Sequence, residues 1–251
     1  MIKVVVMDID GCLTPGEVEE IDLGVLKKLR EYNQRSKDDP LIPAITFCTG
    51  RPQPYLEAMH QMLSGYLPAI YESGGGMYFP QGYYFRTNPK ITESLRQELG
   101  RITNLVEERI AKLGIAKIQP GKETSLSLYP TPGYSTSKVL KITSQLFKEE
   151  NLSYSLVDGL SCINILPPRV DKGEGVRWLS RVMKIRLNDL AGIGDSDGDL
   201  PFLRLVGAGA CPRNANDKVK KVVKYVSPYS NGKSILDIFN WCIKRNVEAG
   251  L

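Results

Sequence analysis

The chain opens with "MIKVVVMDIDGCLTP" (residues 1–15), an apolar run from Ile2 to Met7 that drives straight into two acids, Asp8 and Asp10, and a glycine. The run has the length of a buried strand. Side chains alternate along a strand with period two, so Asp8 and Asp10 would leave on the same side. Two carboxylates held that close repel one another unless a cation or a shared proton intervenes. The plainer alternative is a strand that ends in a polar turn, and the rest of the chain has to separate the two.

Working outward, apolar runs of strand length alternate with helix-period segments. "PAITFC" (43–48), "PAIYES" (68–73), "DLAGIG" (189–194) and "GAGAC" (207–211) are predicted strands. "DLGVLKKLREYNQ" (22–34), "QPYLEAMHQML" (53–63), "KGEGVRWLSRVMK" (172–184), "LPFLRLV" (200–206) and "SILDIFNWCIKR" (234–245) are predicted helices. The alternation implies an α/β fold, a Rossmann-like parallel sheet with helices on both faces. The middle reads differently. Strands "GYYFRT", "TSLSLYP", "SYSLV" and "SCINIL" are set around helices at 92–114 and 135–151, which suggests an inserted small α/β sandwich. Turn-rich "PQG" (80–82) and "PPR" (167–169) flank it, giving a core of residues 1–81 and 169–251 and an insert of 82–168.

Composition narrows the class. With 251 residues, 42% hydrophobic and 24% charged, the chain is an ordinary globule with room for one large domain or two modest ones. No stretch approaches the roughly 18 apolar residues of a membrane span. The first apolar run is too short for a signal-peptide core and lacks a small-residue cleavage site. Five cysteines, odd in number and without CxxC spacing, indicate neither a disulfide framework nor a zinc site, so a reducing cytoplasm is expected. A net charge of +5 is too small to argue for nucleic acid, and it suits an anionic small substrate.

In open α/β sheets, ligands bind beyond the carboxyl ends of the strands. Four stretches meet that description: Asp8 and Asp10 after the first strand, "TGR" with Thr49 and Gly50 after the second, "DKGEG" with Lys172 opening a helix, and "GDSDGD" with Asp195, Asp197 and Asp199. Each alone is weak, since a strand-end threonine is commonly a helix cap and a loop of acids commonly faces solvent. Their order and placement together make the set specific.

This ordered set resembles the haloacid dehalogenase-like phosphohydrolase superfamily, whose fingerprint is DxDG(T/V), a strand-terminal Thr or Ser, a Lys at a helix start, and GDxxxD. The resemblance covers the core. The long stretch between Thr49 and Lys172 resembles members with a C2-type cap inserted between the second and third motifs, among them Cof-type, sucrose-phosphate, archaeal phosphoglycolate and mannosyl-3-phosphoglycerate phosphatases. It implies a Mg²⁺-dependent phosphatase acting on a small phosphomonoester, with Asp8 as nucleophile and Asp10 as general acid and base. Thr49, Gly50 and Lys172 would hold the phosphoryl oxygens, with Mg²⁺ among Asp8, the Asp10 main-chain carbonyl, Asp195 and Asp199. The residue types suit that chemistry: a hard cation with oxygen ligands neutralises a carboxylate approaching a phosphate dianion. A phosphomutase or phosphotransferase on the same fold is the alternative within enzymes, and a non-catalytic phospho-ligand sensor the alternative outside them.

Two positions depart from the pattern. Cys12 stands where Thr is common, and Gly198 where Cof-type members usually carry Asn, which is expected to loosen the loop and weaken Mg²⁺ affinity. The secondary candidates each have a plain reading beside the functional one. Asn214 in "CPRNAN" would reach the phosphate or cap a helix; Arg51 would meet substrate or form a surface ion pair. Lys122 in "QPGKETSLSLYP" would contact the substrate's non-phosphate end or be solvated. "SGGG" (73–76) would be a hinge or a tight turn. His60, the one histidine, is expected to be structural.

Overall fold

The computed structural model describes residues 1–159 and 161–250; the insert and core ranges above include residues 160 and 251, which lie outside the described residues. The chain begins with β1 (Val4–Met7), α1 (Leu23–Arg35), β2 (Ala44–Phe47) and α2 (Gln53–Met62). Three short strands follow, β3 (Ala69–Tyr71), β4 (Gly76–Phe79) and β5 (Tyr84–Thr87). The insert contains α3 (Glu93–Val106), which runs into a π-helical turn at Glu107–Ala111, then β6 (Ala116–Ile118), β7 (Leu126–Pro130), α4 (Thr136–Glu149), β8 (Ser155–Asp158) and β9 (Ile163–Leu166). The chain returns through α5 (Lys172–Met183), β10 (Leu190–Ile193), α6 (Leu200–Leu203), β11 (Ala208–Cys211), α7 (Asp217–Lys220), β12 (Tyr225–Val226) and α8 (Asn231–Glu248).

The core sheet has five strands in the order β12-β11-β10-β1-β2, all parallel. β1 lies between β10 and β2, and all four of its residues are buried, which explains its unbroken apolar run. Val5 and Met7 pack with Leu29 of α1 and with Ile235 and Phe239 of α8. Val4 and Val6 pack on the opposite face with Val176 and Leu179 of α5 and Phe202 of α6. Burying each such side chain contributes about 1.5–3 kcal/mol, so the strand ends that carry the acids are firmly anchored.

Two expectations need correction. "PAIYES" was expected as a third strand of the parallel sheet, but β3 touches it through a single parallel bridge, Cys48 to Ile70. A tight glycine turn instead folds β4 back on β3 as an antiparallel partner. "GYYFRT" was expected within the insert's sandwich, but β5 pairs with β4 and completes this small three-stranded sheet.

The insert's own sheet is antiparallel, in the order β6-β7-β9-β8. Leu126, Leu128, Ile163 and Ile165 pack beneath α3 and α4. Ser127, Tyr129, Asn164 and Leu166 alternate with them and line a cavity of about 540 Å³ between insert and core. Among the described residues no helix is long and apolar enough to cross a membrane.

Candidate active site

β1 stops at Met7, so the two acids sit on the turn beyond it rather than in strand register. Their carboxylates diverge. The Asp8 Oδ2 atom lies 2.6 Å from Lys172 Nζ, while its Oδ1 accepts from the Ile9 N–H at 2.8 Å. The turn is closed by Gly11 at φ +76°, and a Cβ there would lie 2.3 Å from Asp195 Oδ2. The glycine of the DxDG motif is thus required for the acid of the fourth motif to approach.

Lys172 is the first residue of α5, capped by Asp171, whose side chain accepts from the Glu174 N–H at 2.8 Å. Its ammonium also meets Asp199 Oδ1 at 2.6 Å. Asp199 Oδ2 accepts from the N–H groups of Asp195 and Ser196 at 2.9 and 3.0 Å and from the Ser196 hydroxyl at 3.1 Å. Ser196 and Asp199 form a reciprocal capping box. A Cβ at Gly198 would lie 3.6 Å from Ser196 Oγ, an ordinary contact, and the capping box spans the loop on both sides of it.

Asp8, Asp195 and Asp199 are all buried, with one oxygen from each within 4.8 Å of the others. Burial, outweighing the opposing pull of Lys172, pushes the Asp8 carboxyl far above its ordinary range, with Asp199 and Asp195 adding to the rise. Burial and then Asp199 push Asp195 up. Burial pulls the Lys172 amine down, but Asp199 and Asp8 more than reverse it. One ammonium therefore serves three carboxylates. This crowding of buried carboxyl oxygens, all hard donors, fits Mg²⁺.

Asp10 is partly exposed and pairs with Arg51 through two hydrogen bonds, Nε to Oδ2 at 2.6 Å and Nη2 to Oδ1 at 2.7 Å. The guanidinium lies over the Tyr55 ring, 4.5 Å from its centroid. Arg51 is thus no ordinary surface ion pair: its side chain is 11% exposed and fixes the second acid. Thr49 is fully buried, and its hydroxyl accepts from the Arg51 N–H at 3.1 Å, which leaves the hydroxyl proton to donate. Gly50 lines the cavity.

Lys122 also lines the cavity, from the insert side, where its amine meets the Ser127 hydroxyl. Burial pulls that amine below its usual range, against Glu72. Asn214 is not aimed into the cavity: its amide donates to the Gly11 carbonyl at 2.7 Å and its oxygen accepts from the Asn231 N–H at 3.1 Å. It ties the turn after Asp10 to the start of α8, and the cap of α7 is Asn216. Asp197 pairs at the surface with Lys218 and Asn216. Sequence reasoning took Ser73 only as part of a glycine turn and passed over Ser127, Tyr129 and Asn164, all of which line the same cavity. The last three were marked only by their alternation with buried residues along β7 and β9.

A family model described as haloacid dehalogenase-like hydrolase matches residues 116–239. Over that stretch the chain is similar to the haloacid dehalogenase-like hydrolases. The chain is an enzyme by that match and by its likeness to curated phosphatases over nearly its whole length. Among curated relatives, a phosphoglycolate phosphatase of Methanopyrus kandleri is 27% identical over 242 residues, covering 94% of each chain. One of Sulfolobus acidocaldarius is 24% identical, covering 99% of this chain and all of its own. The sucrose-phosphatase of Synechocystis, solved with sucrose and phosphate, superposes with a TM-score of 0.70 at 17% identity, covering 96% of this chain and 97% of its own. A solved Thermoplasma acidophilum protein gives 0.75 at 23%, covering 96% and 98%. These two structures share this fold of a capped core.

Proposed function

We propose that the chain is a Mg²⁺-dependent phosphatase that hydrolyses a small phosphomonoester, of the sugar phosphate, phosphoglycolate or phosphoglycerate type, through an aspartyl-phosphate on Asp8. The observation that carries this reading is the buried cluster of Asp8, Asp195, Asp199 and Lys172 beneath a roofed cavity. The names of the archaeal relatives favour phosphoglycolate within that class.

In this reading Asp8 attacks phosphorus, forming a bond from its carboxylate oxygen as the ester P–O bond breaks. Asp10, once parted from Arg51 and protonated from solvent, gives that proton to the departing alkoxide; it then takes a proton from the water whose oxygen attacks phosphorus, and the bond from phosphorus to the Asp8 oxygen breaks to release phosphate. To reach the leaving group, the Asp10 carboxyl must part from Arg51. The Thr49 hydroxyl, the Gly50 backbone and the Lys172 ammonium face the phosphoryl oxygens. Mg²⁺, held by Asp8, Asp195 and the Asp10 main-chain carbonyl, with Asp199 bracing the loop, would offset the negative charge of nucleophile and phosphoryl group. Lys122 meets an anionic leaving group from the insert, which closes over the site and restricts it to small metabolites rather than nucleic acid or membranes. All five cysteines are buried and unpaired, which fits a cytoplasmic setting.

The test is phosphate release from a panel of small phosphomonoesters, with Mg²⁺, with a chelator, and with Asp8→Asn. Release should require Mg²⁺ and fall at least ~10³-fold in the variant, as expected when a covalent nucleophile is removed. Release that survives Asp8→Asn would overturn the assignment.

A further inference from the structure

Glu72, the residue after β3, is 1% exposed, and no step above uses it. Its carboxylate collects four hydrogen bonds from one segment of the insert. Oε1 accepts from the Glu123 N–H at 2.9 Å, and Oε2 from the Thr124 N–H at 2.8 Å, the Thr124 hydroxyl at 2.7 Å and the Ser125 hydroxyl at 3.0 Å. A buried carboxylate is expensive unless donors converge on it, so this contact is specific.

On its other side the same residue is tied to the phosphate loop. The Glu72 N–H donates to the Arg51 carbonyl at 3.1 Å, and the Ser73 N–H to the Thr49 carbonyl at 2.9 Å. Holding both sides places Glu72 at φ +47° and Ser73 at φ +54°, the left-handed region that non-glycine residues avoid. Gly75 completes the approach, since a Cβ there would lie 2.0 Å from Thr124 Oγ1. The segment gripped by Glu72 directly follows Lys122, whose amine meets Ser127 on the cavity wall, and Ser127 in turn donates to Asn164 Oδ1 at 2.6 Å.

We propose that Glu72 is the positioning residue for the insert's side of the site: by clamping residues 123–125 to the strand end beside Thr49, it sets Lys122 at a fixed place in the cavity and so governs recognition of an anionic leaving group. It touches neither substrate nor phosphoryl group. This rests on the phosphatase reading for its kinetic consequences but not for the clamp itself.

Phosphoglycolate, with a carboxylate on its leaving group, is compared with 4-nitrophenyl phosphate, which has none. Loss of a charge-assisted contact of this kind should raise KM for phosphoglycolate ~10-fold in Glu72→Gln while leaving kcat on both esters within about threefold. Lys122→Met should produce the same KM shift, and the double variant should be no worse than the larger single one. Equal loss on both esters, unchanged KM, or multiplying effects would overturn the proposal. Should Glu72→Gln fail to fold, Thr124→Val removes one donor and should shift the same KM in the same direction, ~3-fold; no shift counts against the clamp.

Amide exchange in the intact protein separates the two readings. The Glu123 and Thr124 amides should be protected in the wild type and exchange faster in Glu72→Gln, whether or not phosphate is released. Wild-type protein that releases none would sink the phosphatase reading alone. Unchanged exchange would sink the clamp alone.

Discussion

Glu72 is 1% exposed and Asp8 is 6% exposed, two buried carboxylates each just beyond the end of a strand, with opposite surroundings. Glu72 is surrounded by neutral donors, two amides and two hydroxyls, and needs no cation. Asp8 shares a single ammonium with Asp199, and Asp195 stands beside them. The first arrangement is closed: every donor comes from the chain, and it joins two parts of the structure. The second is crowded: three carboxyl groups share one ammonium, each disfavours the ionisation of the others, and further positive charge would relieve that. One carboxylate therefore serves architecture, while the crowded acids beside Lys172 have the hard oxygen donors that the proposed cation would need.

The sharpest way to break that contrast is to take away the ammonium. Lys172→Met should destabilise the protein by about 3–5 kcal/mol in the presence of chelator, as removal of one partner from a buried ion pair does. Urea unfolding measures it, and Mg²⁺ should restore part of the loss. A variant as stable as the wild type would mean that the three carboxylates already hold protons and need no cation. Smaller in effect is the cation itself. A bound ion at about 100 times its dissociation constant adds about 2.7 kcal/mol to stability. Thermal unfolding of the wild type should therefore shift upward with Mg²⁺, and Asp195→Asn should remove the shift. A shift that persists in Asp195→Asn would place the cation elsewhere.

The end of the core where the acidic motifs gather was legible in the sequence because backbone placement decides it. Parallel strands deliver their carboxyl-terminal residues to one edge, so Asp8, Thr49 and Asp195 needed only to be recognised as strand ends. The direction of the side chains was not legible. Asp8 and Asp10 were expected on one side, but β1 ends at Met7 and Arg51 draws Asp10 away. The insert shows the other limit. Its helices were evident from apolar spacing, yet β6, the three residues Ala116–Ile118 with a lysine at the centre, carries too little pattern to register. β5 was recognised as a strand and assigned to the wrong sheet, because periodicity says nothing of a strand's partner. Glu72 was invisible for a related reason: its partners lie about fifty residues away in the chain, and only the fold brings them to it.

A third buried titratable group, remote from both carboxylate regions, gives the contrast a control. His60 is 1% exposed, set edge-on to Phe47 and Tyr78, and its Nε2 has no hydrogen-bond partner. Burial pulls its pKa from 6.5 to about 4, only partly opposed by a backbone hydrogen bond involving Leu67. The folded state thus binds this proton less readily than the unfolded chain, so the group's contribution is intact above pH 6.5 and is lost as the pH falls toward 4. At 1.36 kcal/mol per pH unit, stability should be about 2 kcal/mol lower at pH 5 than at pH 7 from this group alone. Urea unfolding across that range should show a shallower decline in His60→Phe, which keeps the ring and removes the titration. An identical decline in both proteins would mean that the acid sensitivity belongs to the carboxylates, and that His60 already finds a partner for its proton within the core.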